Sequence, residues 1–353
     1  MKILILGGTG FISGALVRRL LASGHRVSIV TRGRRRPGAV PSGDLEALAV
    51  DRSNIHALKG VLGGRTFDAV YDLIAYLPEE SRSAVELFRG RVGRFIHCST
   101  ISVYMVSDRI QCPVSEDQDE APMMTFWDRN PFGMQYGIDK RACERVLWDA
   151  HHDVHFPVSM LRPTFVSGPA DPTRRDWFWI ERVLDGKPLL VPGSGDCAFQ
   201  QVYIEDVAAA FAALLEHQTS EGKAYNVAGE EICSLNEYLN LLGELTGRPV
   251  KCVHVPQPVF DKHAISSHPR GDVFPFNTRR TAVFSLDRIK KDLGFRSTPH
   301  RHWMAETIEW WRKQGTHSLG YDRRREELEY IESLRRLEGA DQGGAAGTVG
   351  QTG

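Results

Sequence analysis

Tyr136 and Lys140 stand four residues apart, and on a helix that spacing puts a phenol and an ammonium on one face, one turn from each other. A phenol with a pKa near ~10 is a poor base at neutral pH, and lowering it by ~3 units takes ~4 kcal/mol of phenolate stabilisation. A neighbouring ammonium supplies part of that. The Tyr-x-x-x-Lys spacing recurs by chance, so its weight depends on its surroundings. Upstream, Cys98-Ser99-Thr100 closes a predicted strand and sets two hydroxyls at a sheet edge. Near the N-terminus, Gly7-Gly8-Thr9-Gly10-Phe11-Ile12-Ser13-Gly14 lies directly between a predicted strand and a predicted helix. Glycines there permit a tight turn and let backbone N–H groups approach a pyrophosphate at the helix N-terminus. A nicotinamide dinucleotide is therefore expected, and its oxidised ring would bring a second positive charge to the phenol. Ser13 takes the place of a third glycine; it is small enough that a tighter fit, not loss of binding, is expected.

The second predicted strand ends Val30-Thr31-Arg32-Gly33-Arg34-Arg35-Arg36. An acidic residue there would accept the ribose 2′-hydroxyl of NAD; a guanidinium pairs instead with a 2′-phosphate. NADP(H) is favoured over NAD(H), which stays open, and the alternative is a solvated basic loop. Asp51-Arg52, after the third strand, is placed to meet the adenine unless Asp51 is an ordinary surface residue.

The elements that must position these groups follow from periodicity. Residues 2–6, 26–31, 48–50, 69–73, 95–98 and 158–161 read as strands, and 11–22, 54–62, 78–89 and 132–151 as helices between them. That alternation predicts an α/β fold, a doubly wound parallel Rossmann sheet, with a smaller C-terminal substrate lobe. Residues 201–204 and 224–227 are expected to return to the sheet around a helix at 206–217. The expected division is a dinucleotide-binding domain over 1–167 with returning elements 199–228, and a substrate lobe over 168–198 and 229–320. A charged surface helix is expected over 321–338, and a disordered tail over 339–353.

Composition narrows the class. The chain has 353 residues, with 44 basic and 44 acidic side chains and 42% hydrophobic content, as a soluble globular protein would. The zero net charge argues against a nucleic-acid partner. No apolar run reaches the length of a bilayer span, and the N-terminal apolar stretch is too short for a signal peptide. Six cysteines without CxxC spacing suit a reducing cytoplasm, and no metal site is expected. His151-His152-Asp153-Val154-His155 reads as a solvated turn after a helix, and Trp177-Phe178-Trp179 and Trp310-Trp311 as packing more than as sugar platforms. Met123-Met124 and Phe126-Trp127 read as either core or lid.

Taken in order, these motifs resemble the extended short-chain dehydrogenase/reductase family, the NAD(P)-dependent sugar epimerase/dehydratase group. The resemblance spans about residues 1–312 and is carried by Gly7–Gly14, Thr100-Ile101-Ser102-Val103-Tyr104, the Tyr136/Lys140 pair and Leu161-Arg162-Pro163-Thr164-Phe165. Further matches are Val202-Tyr203-Ile204-Glu205-Asp206, Tyr225-Asn226-Val227 and Asp292-Leu293-Gly294-Phe295. It implies that Tyr136 is the acid/base, that Lys140 holds the ribose and tunes Tyr136, and that Thr100 meets the substrate hydroxyl. It also implies that Leu73-Ile74-Ala75, Pro163 and Phe165 line the cofactor, and that the chain forms a homodimer through the helix bearing Tyr136. The substrate would be a sugar or polyol, undergoing epimerisation or ketone reduction. Two departures bear on the reaction. The family's 4,6-dehydratases have Asp-Glu where this chain has Ile101-Ser102, which argues against dehydration. Nucleotide-sugar members carry an Arg near Cys197-Ala198-Phe199-Gln200-Gln201, which is uncharged here, leaving Arg174, Arg175 or Arg279-Arg280 for a diphosphate. The Gln-Gln and Thr-Arg-Gly features also resemble an atypical branch with plant chloroplast proteins regarded as RNA-binding. A non-catalytic, dinucleotide-sensing or RNA-associated protein is therefore the rival reading.

Overall fold

The computed structural model describes residues 1–33, 44–125, 134–260, 274–276 and 279–344. Strands β1 (Lys2–Leu6), β2 (Arg26–Thr31), β3 (Leu45–Ala49), β4 (Ala69–Asp72), β5 (Phe95–Cys98) and β6 (Val158–Pro163) join strand Lys223–Val227 in a seven-stranded sheet. Its spatial order is Lys223–Val227, β6, β5, β4, β1, β2, β3, and each neighbouring pair is parallel. The order reverses between β1 and β4, the switch point at which such sheets bind ligands beyond their carboxyl ends.

Alternation within β1 shows why the sheet is covered on both faces. Ile3 and Ile5 pack in one apolar layer with Ala15, Leu16 and Leu20 of helix α1 (Phe11–Ala22) and with Phe211 of helix Ile204–Glu216. Leu4 and Leu6 belong to the other layer, with Leu58 of α2 (Ile55–Leu62), Leu87 of α3 (Pro78–Phe88) and Leu147. Successive strand residues point to opposite faces, so a strand with helices on both sides is apolar throughout. Helix α4 (Ser102–Met105) and the long helix α5 (Met134–Val154) follow β5. Pro78 opens α3, where its missing N–H costs nothing, and the Glu80 carboxylate accepts the N–H groups of Tyr76 (2.6 Å) and Leu77 (3.1 Å).

Several expectations need correction. Strand Gln201–Tyr203 pairs with Phe165–Ser167 in a separate two-stranded parallel sheet; it does not return to the main one. β3 begins at Leu45, ahead of the expected Leu48. His151 and His152 lie within α5, and His151 Nδ1 is 2.9 Å from the Phe156 carbonyl. Among the described residues no group could hold a metal ion. Among the described residues no helix is long and apolar enough to cross a membrane.

The chain divides into two compact units, Met1–Pro172 with Gln200–Ile232 and Ala282–Met304, and Thr173–Phe199 with Cys233–Thr281 and Ala305–Gly353. Residues 168–172 and 282–304, assigned by sequence to the substrate lobe, thus belong with the sheet. In the second unit the Trp177 and Trp311 rings stack at 5.6 Å, and Trp179 Nε1 donates to the Pro275 carbonyl at 2.8 Å. The C-terminal helix Arg324–Gly344 is not simply a charged surface helix. Arg324, Glu327 and Ile331 are buried, and Glu327 pairs with Arg182 at 2.5 Å. It also runs through residues 339–344, which the sequence assigns to a disordered tail. The rest of that tail, the basic residues Arg34–Arg36 and the pair Phe126-Trp127 lie outside the described residues.

Candidate active site

The glycine loop is shaped by steric demands that only glycine meets. Gly7 and Gly8 adopt φ of +106° and +126°, and a Cβ on Gly8 would lie 2.7 Å from the Ile29 side chain. The Gly7 N–H donates to the Val30 carbonyl at 3.0 Å. Phe11 and Ile12 open the first turn of α1, where their N–H groups have no intrahelical acceptor. Thr9, Phe11 and Ile12, on the turn that Gly10 shapes, therefore form an N-terminal cradle of the kind that fits a pyrophosphate. Ser13 does more than keep the packing close: its Oγ accepts the Gly10 N–H at 2.8 Å. That N–H is spent within the loop.

Beyond the loop, Arg32 is exposed at the end of β2, beside Gly33. Asp51 is exposed and accepts the Ser53 N–H (3.0 Å) and hydroxyl (2.8 Å). Arg52, expected at the adenine, is instead buried. Its Nη1 lies 2.5 Å from Asp72 Oδ1, and its Nη2 donates to the Glu80 carbonyl at 2.9 Å. A guanidinium committed to a buried carboxylate holds β4 to α3 and is not presented to a ligand. Leu73, Ile74 and Ala75 follow β4 directly, and Pro163 and Phe165 stand where β6 ends and the next short strand begins.

Thr100, Tyr136 and Lys140 come together at the carboxyl end of β5. Gly137 is what allows it: a Cβ there would sit 2.6 Å from the Ser102 carbonyl oxygen, so α5 packs against α4 with no side chain between. Tyr136 keeps part of its ring exposed (39%), and the ring of Tyr76, 52% exposed, lies 6.4 Å from it. Burial pushes the Tyr136 phenol above its usual range; the neighbouring Cys98 and Tyr76 add to that, and a hydrogen bond with Thr100 pulls it back. The Thr100 hydroxyl also lies 3.2 Å from Ser102 Oγ.

Lys140 is fully buried and its ammonium is spent on protein acceptors. Nζ donates to the carbonyls of Cys98 (2.6 Å) and Ala75 (2.7 Å), and lies 3.2 Å from His97 Nε2. Burial lowers its pKa from the ordinary lysine range. These three contacts go to Cys98, Ala75 and His97 and not to the Tyr136 phenol, and donating to a ribose would require exchanging one of them. His97, Tyr76 and Gly137 were missed by sequence reasoning. A histidine in a strand carries no signal of what its ring will meet, though Gly137 stands next to Tyr136 in the motif itself.

In the second unit a cavity of about 330 Å³ is bounded by Pro192–Gly195, Leu235, Gln257, Phe276 and Arg279. Of the other arginines considered for a diphosphate, Arg174 donates to the His317 carbonyl (3.0 Å) and Arg175 to the Thr173 hydroxyl (2.8 Å).

Residues 3–228 match the sequence model of the NAD-dependent epimerase/dehydratase family. The chain belongs to that family. Its members are extended short-chain dehydrogenases/reductases and use nicotinamide dinucleotides. The family description itself includes dehydratases, so membership does not support the expected exclusion of dehydration. Among curated relatives, the chloroplast stem-loop binding protein of 41 kDa b from Arabidopsis thaliana is 26% identical over 307 residues, covering 84% of this chain and 75% of the relative. The 2′-dehydrokanamycin reductase of Streptomyces kanamyceticus is 24% identical over 322 residues, covering 89% and 86%. A solved UDP-glucuronic acid 4-epimerase from Bacillus cereus, in complex with NAD, superposes with a TM-score of 0.67 at 20% identity, over 90% of this chain and 100% of the other. The Rossmann-like fold of this family member is thereby established.

Proposed function

We propose that this chain is a Tyr/Lys-assisted oxidoreductase or epimerase, moving a hydride at a secondary alcohol or ketone of a sugar or sugar-like molecule. The observation that carries the reading is the convergence of Thr100, Tyr136 and Lys140 at the end of β5, in the unit that also carries the Gly7–Ile12 cradle. The dinucleotide supplies the hydride acceptor and donor. Tyr136 transfers the substrate's hydroxyl proton, and Thr100 holds that oxygen while hydrogen-bonding the phenol. Lys140 places a positive charge beneath the pair, and the oxidised ring adds a second, against the burial that raises the phenol. Gly7, Thr9, Gly10, Phe11 and Ile12 hold the phosphates, Arg32 the 2′-phosphate, Asp51 the adenosine side, and Leu73, Ile74, Ala75, Pro163 and Phe165 the nicotinamide side. Elimination of water is set aside in this reading. Ile101 cannot transfer a proton, and Ser102 is a weak acid already in contact with Thr100. The protein acts as a homodimer in the cytoplasm.

With NADPH deuterated at C4 and a panel of keto-sugars and nucleotide sugars, deuterium is expected at the product carbon. Stoichiometric NADPH consumption identifies net reduction; a catalytic quantity with an unchanged oxidation level identifies epimerisation. Turnover with no label transfer to or from the ring would overturn the assignment.

The cofactor preference has its own test. NADP(H) should bind more tightly than NAD(H), and Arg32→Asp should shrink or reverse the ratio, since a carboxylate repels the 2′-phosphate and accepts the 2′-hydroxyl. Calorimetric titration in which wild type prefers NAD(H) would refute the role given to Arg32.

The rival reading, association with RNA, draws on the likeness to the stem-loop binding protein. The equal numbers of basic and acidic side chains argue against it, because non-specific RNA affinity is electrostatic.

A further inference from the structure

His97 lies on β5, wholly buried, and the mechanism above does not use it. An ammonium has three protons and no acceptor. In Lys140 two of them point to the carbonyls of Ala75 and Cys98, and the third lies against His97 Nε2 at 3.2 Å. None of the three partners is a carboxylate. Asp72 and Glu144 attract the charge from further off, and a buried charge with no carboxylate in contact relies on hydrogen bonds to replace the water it lost. Here one of those three bonds comes from a side chain, and it is the one a substitution can remove.

The ring's protonation state follows from the same geometry. To accept from Lys140, Nε2 must carry a lone pair, so the proton sits on Nδ1. Burial and the adjoining Lys140 charge both push the imidazole's pKa well below its usual value, which keeps the ring neutral. Nδ1 has no hydrogen-bond partner, and neither does Oδ2 of Asp72, the residue in register with His97 across β4 and β5. In-register residues of parallel strands share a sheet face, so the Nδ1 proton and the Asp72 carboxyl group lie on the same side.

We propose that His97 is a positioning residue for the Tyr136/Lys140 pair: a neutral imidazole that completes the hydrogen bonding of the Lys140 ammonium and keeps that lysine charged beneath the dinucleotide site. The proposal rests on the functional reading above for the purpose of that charge, but not for the contact itself. The other ionisable groups that surround the pair are Arg52 and Asp72, Cys98 on β5, Cys143 and Glu144 on α5, Arg162 on β6, and the phenols of Tyr76 and Tyr136. Burial pushes the Cys98 thiol up to about 11, so it stays neutral over the working range and does not hold the lysine's charge.

The test reads Lys140 directly. Protein labelled with 13C-lysine is titrated by NMR without ligand, the Lys140 signal being assigned by its loss in Lys140→Arg. His97→Phe keeps a ring of similar size but removes the acceptor. A hydrogen bond to a charged group is strong enough that the Lys140 midpoint should fall by about one pH unit or more. His97→Gln, whose amide oxygen reaches the place of Nε2, should restore most of it. His97→Asn, too short to reach, should behave as His97→Phe, and it answers the question if the phenylalanine variant does not fold. NADPH affinity measured against pH should then be lost from the alkaline side at a lower pH in the Phe and Asn variants than in wild type. An unchanged Lys140 midpoint in a folded His97→Phe or His97→Asn variant, or a failure of His97→Gln to differ from them, would overturn the proposal. Absence of NADPH binding by wild type would instead count against the functional reading, with the lysine titration still deciding the role of His97.

Discussion

Tyr136→Phe should reduce turnover by roughly 10²–10⁴-fold, the usual contribution of a positioned acid or base, while dinucleotide affinity changes little. The two effects separate because different parts of the chain produce them. In the proposed reading the phenol oxygen moves the proton, whereas the phosphates are held by backbone of the Gly7–Ile12 loop, which Tyr136 does not support. The lost hydroxyl also leaves Thr100 its contact with Ser102 Oγ at 3.2 Å, so the site keeps a polar partner for that side chain. Lys140→Met should damage both functions, since the proposed mechanism has one buried charge serve phenolate and ribose. Steady-state kinetics paired with calorimetry measures the separation. Near-wild-type turnover of Tyr136→Phe on a substrate that the enzyme demonstrably reduces or epimerises would mean that another group carries the proton.

The largest effect on stability should come from Glu144→Leu. Arg162 is completely buried on β6, with Nε and Nη2 donating to the Glu144 carboxylate at 2.9 and 2.6 Å. Its remaining contacts are Asp119, the Tyr104 hydroxyl at 2.6 Å and the Glu116 carbonyl at 3.2 Å. Removing one partner of a buried pair strands the other charge and costs about 3–5 kcal/mol. Asp119, 21% exposed, offsets part of this, which places Glu144→Leu toward the lower end of that range. The network matters beyond α5: the Tyr104 hydroxyl donates to Asn226 Oδ1 at 2.7 Å and so ties strand Lys223–Val227 to the same arginine. Urea unfolding gives the measurement, and a loss under about 1 kcal/mol would show that Asp119 suffices for the guanidinium. Glu144→Leu combined with Arg162→Met should recover much of the loss, because an apolar pair of similar volume removes the buried charge altogether.

The dinucleotide half was legible because its signals are local. Lys2–Leu6, Phe11–Ala22, Arg26–Thr31 and Phe95–Cys98 have in the structure the bounds their periodicity predicts. Each is a short, mainly apolar strand or an amphipathic helix bounded by glycine or hydroxyl residues. The expectation for Gln201–Tyr203 went wrong for a physical reason. Its apolar pattern says that it is buried, but a pattern does not name the neighbour, and Phe165–Ser167 proved to be that neighbour. The C-terminal helix misled in the opposite way. Its charges read as solvent-facing, yet Arg324 and Glu327 are buried against Arg182 and Asp185, with Arg324 Nε 2.9 Å from Asp185. Burial of a charge depends on a partner more than a hundred residues away in sequence, and composition is blind to that.

Arg52 and His97 mark the same boundary within the site. Sequence alone determined the parts whose chemistry depends on neighbours in the chain: the strand–glycine–helix turn, the Tyr136/Lys140 spacing on one helical turn, and the hydroxyls that close β5. Those features need only backbone geometry, which short-range residue types dictate. Tertiary structure alone decided which buried charges are paired. It turned Arg52 inward to Asp72, set three protein acceptors around Lys140, and raised the Tyr136 phenol by partly burying it. A side chain's protonation and partners are set by what other strands and helices bring within about 4 Å, where electrostatic interactions in a poorly hydrated interior are strongest, and that juxtaposition exists only once the sheet has formed.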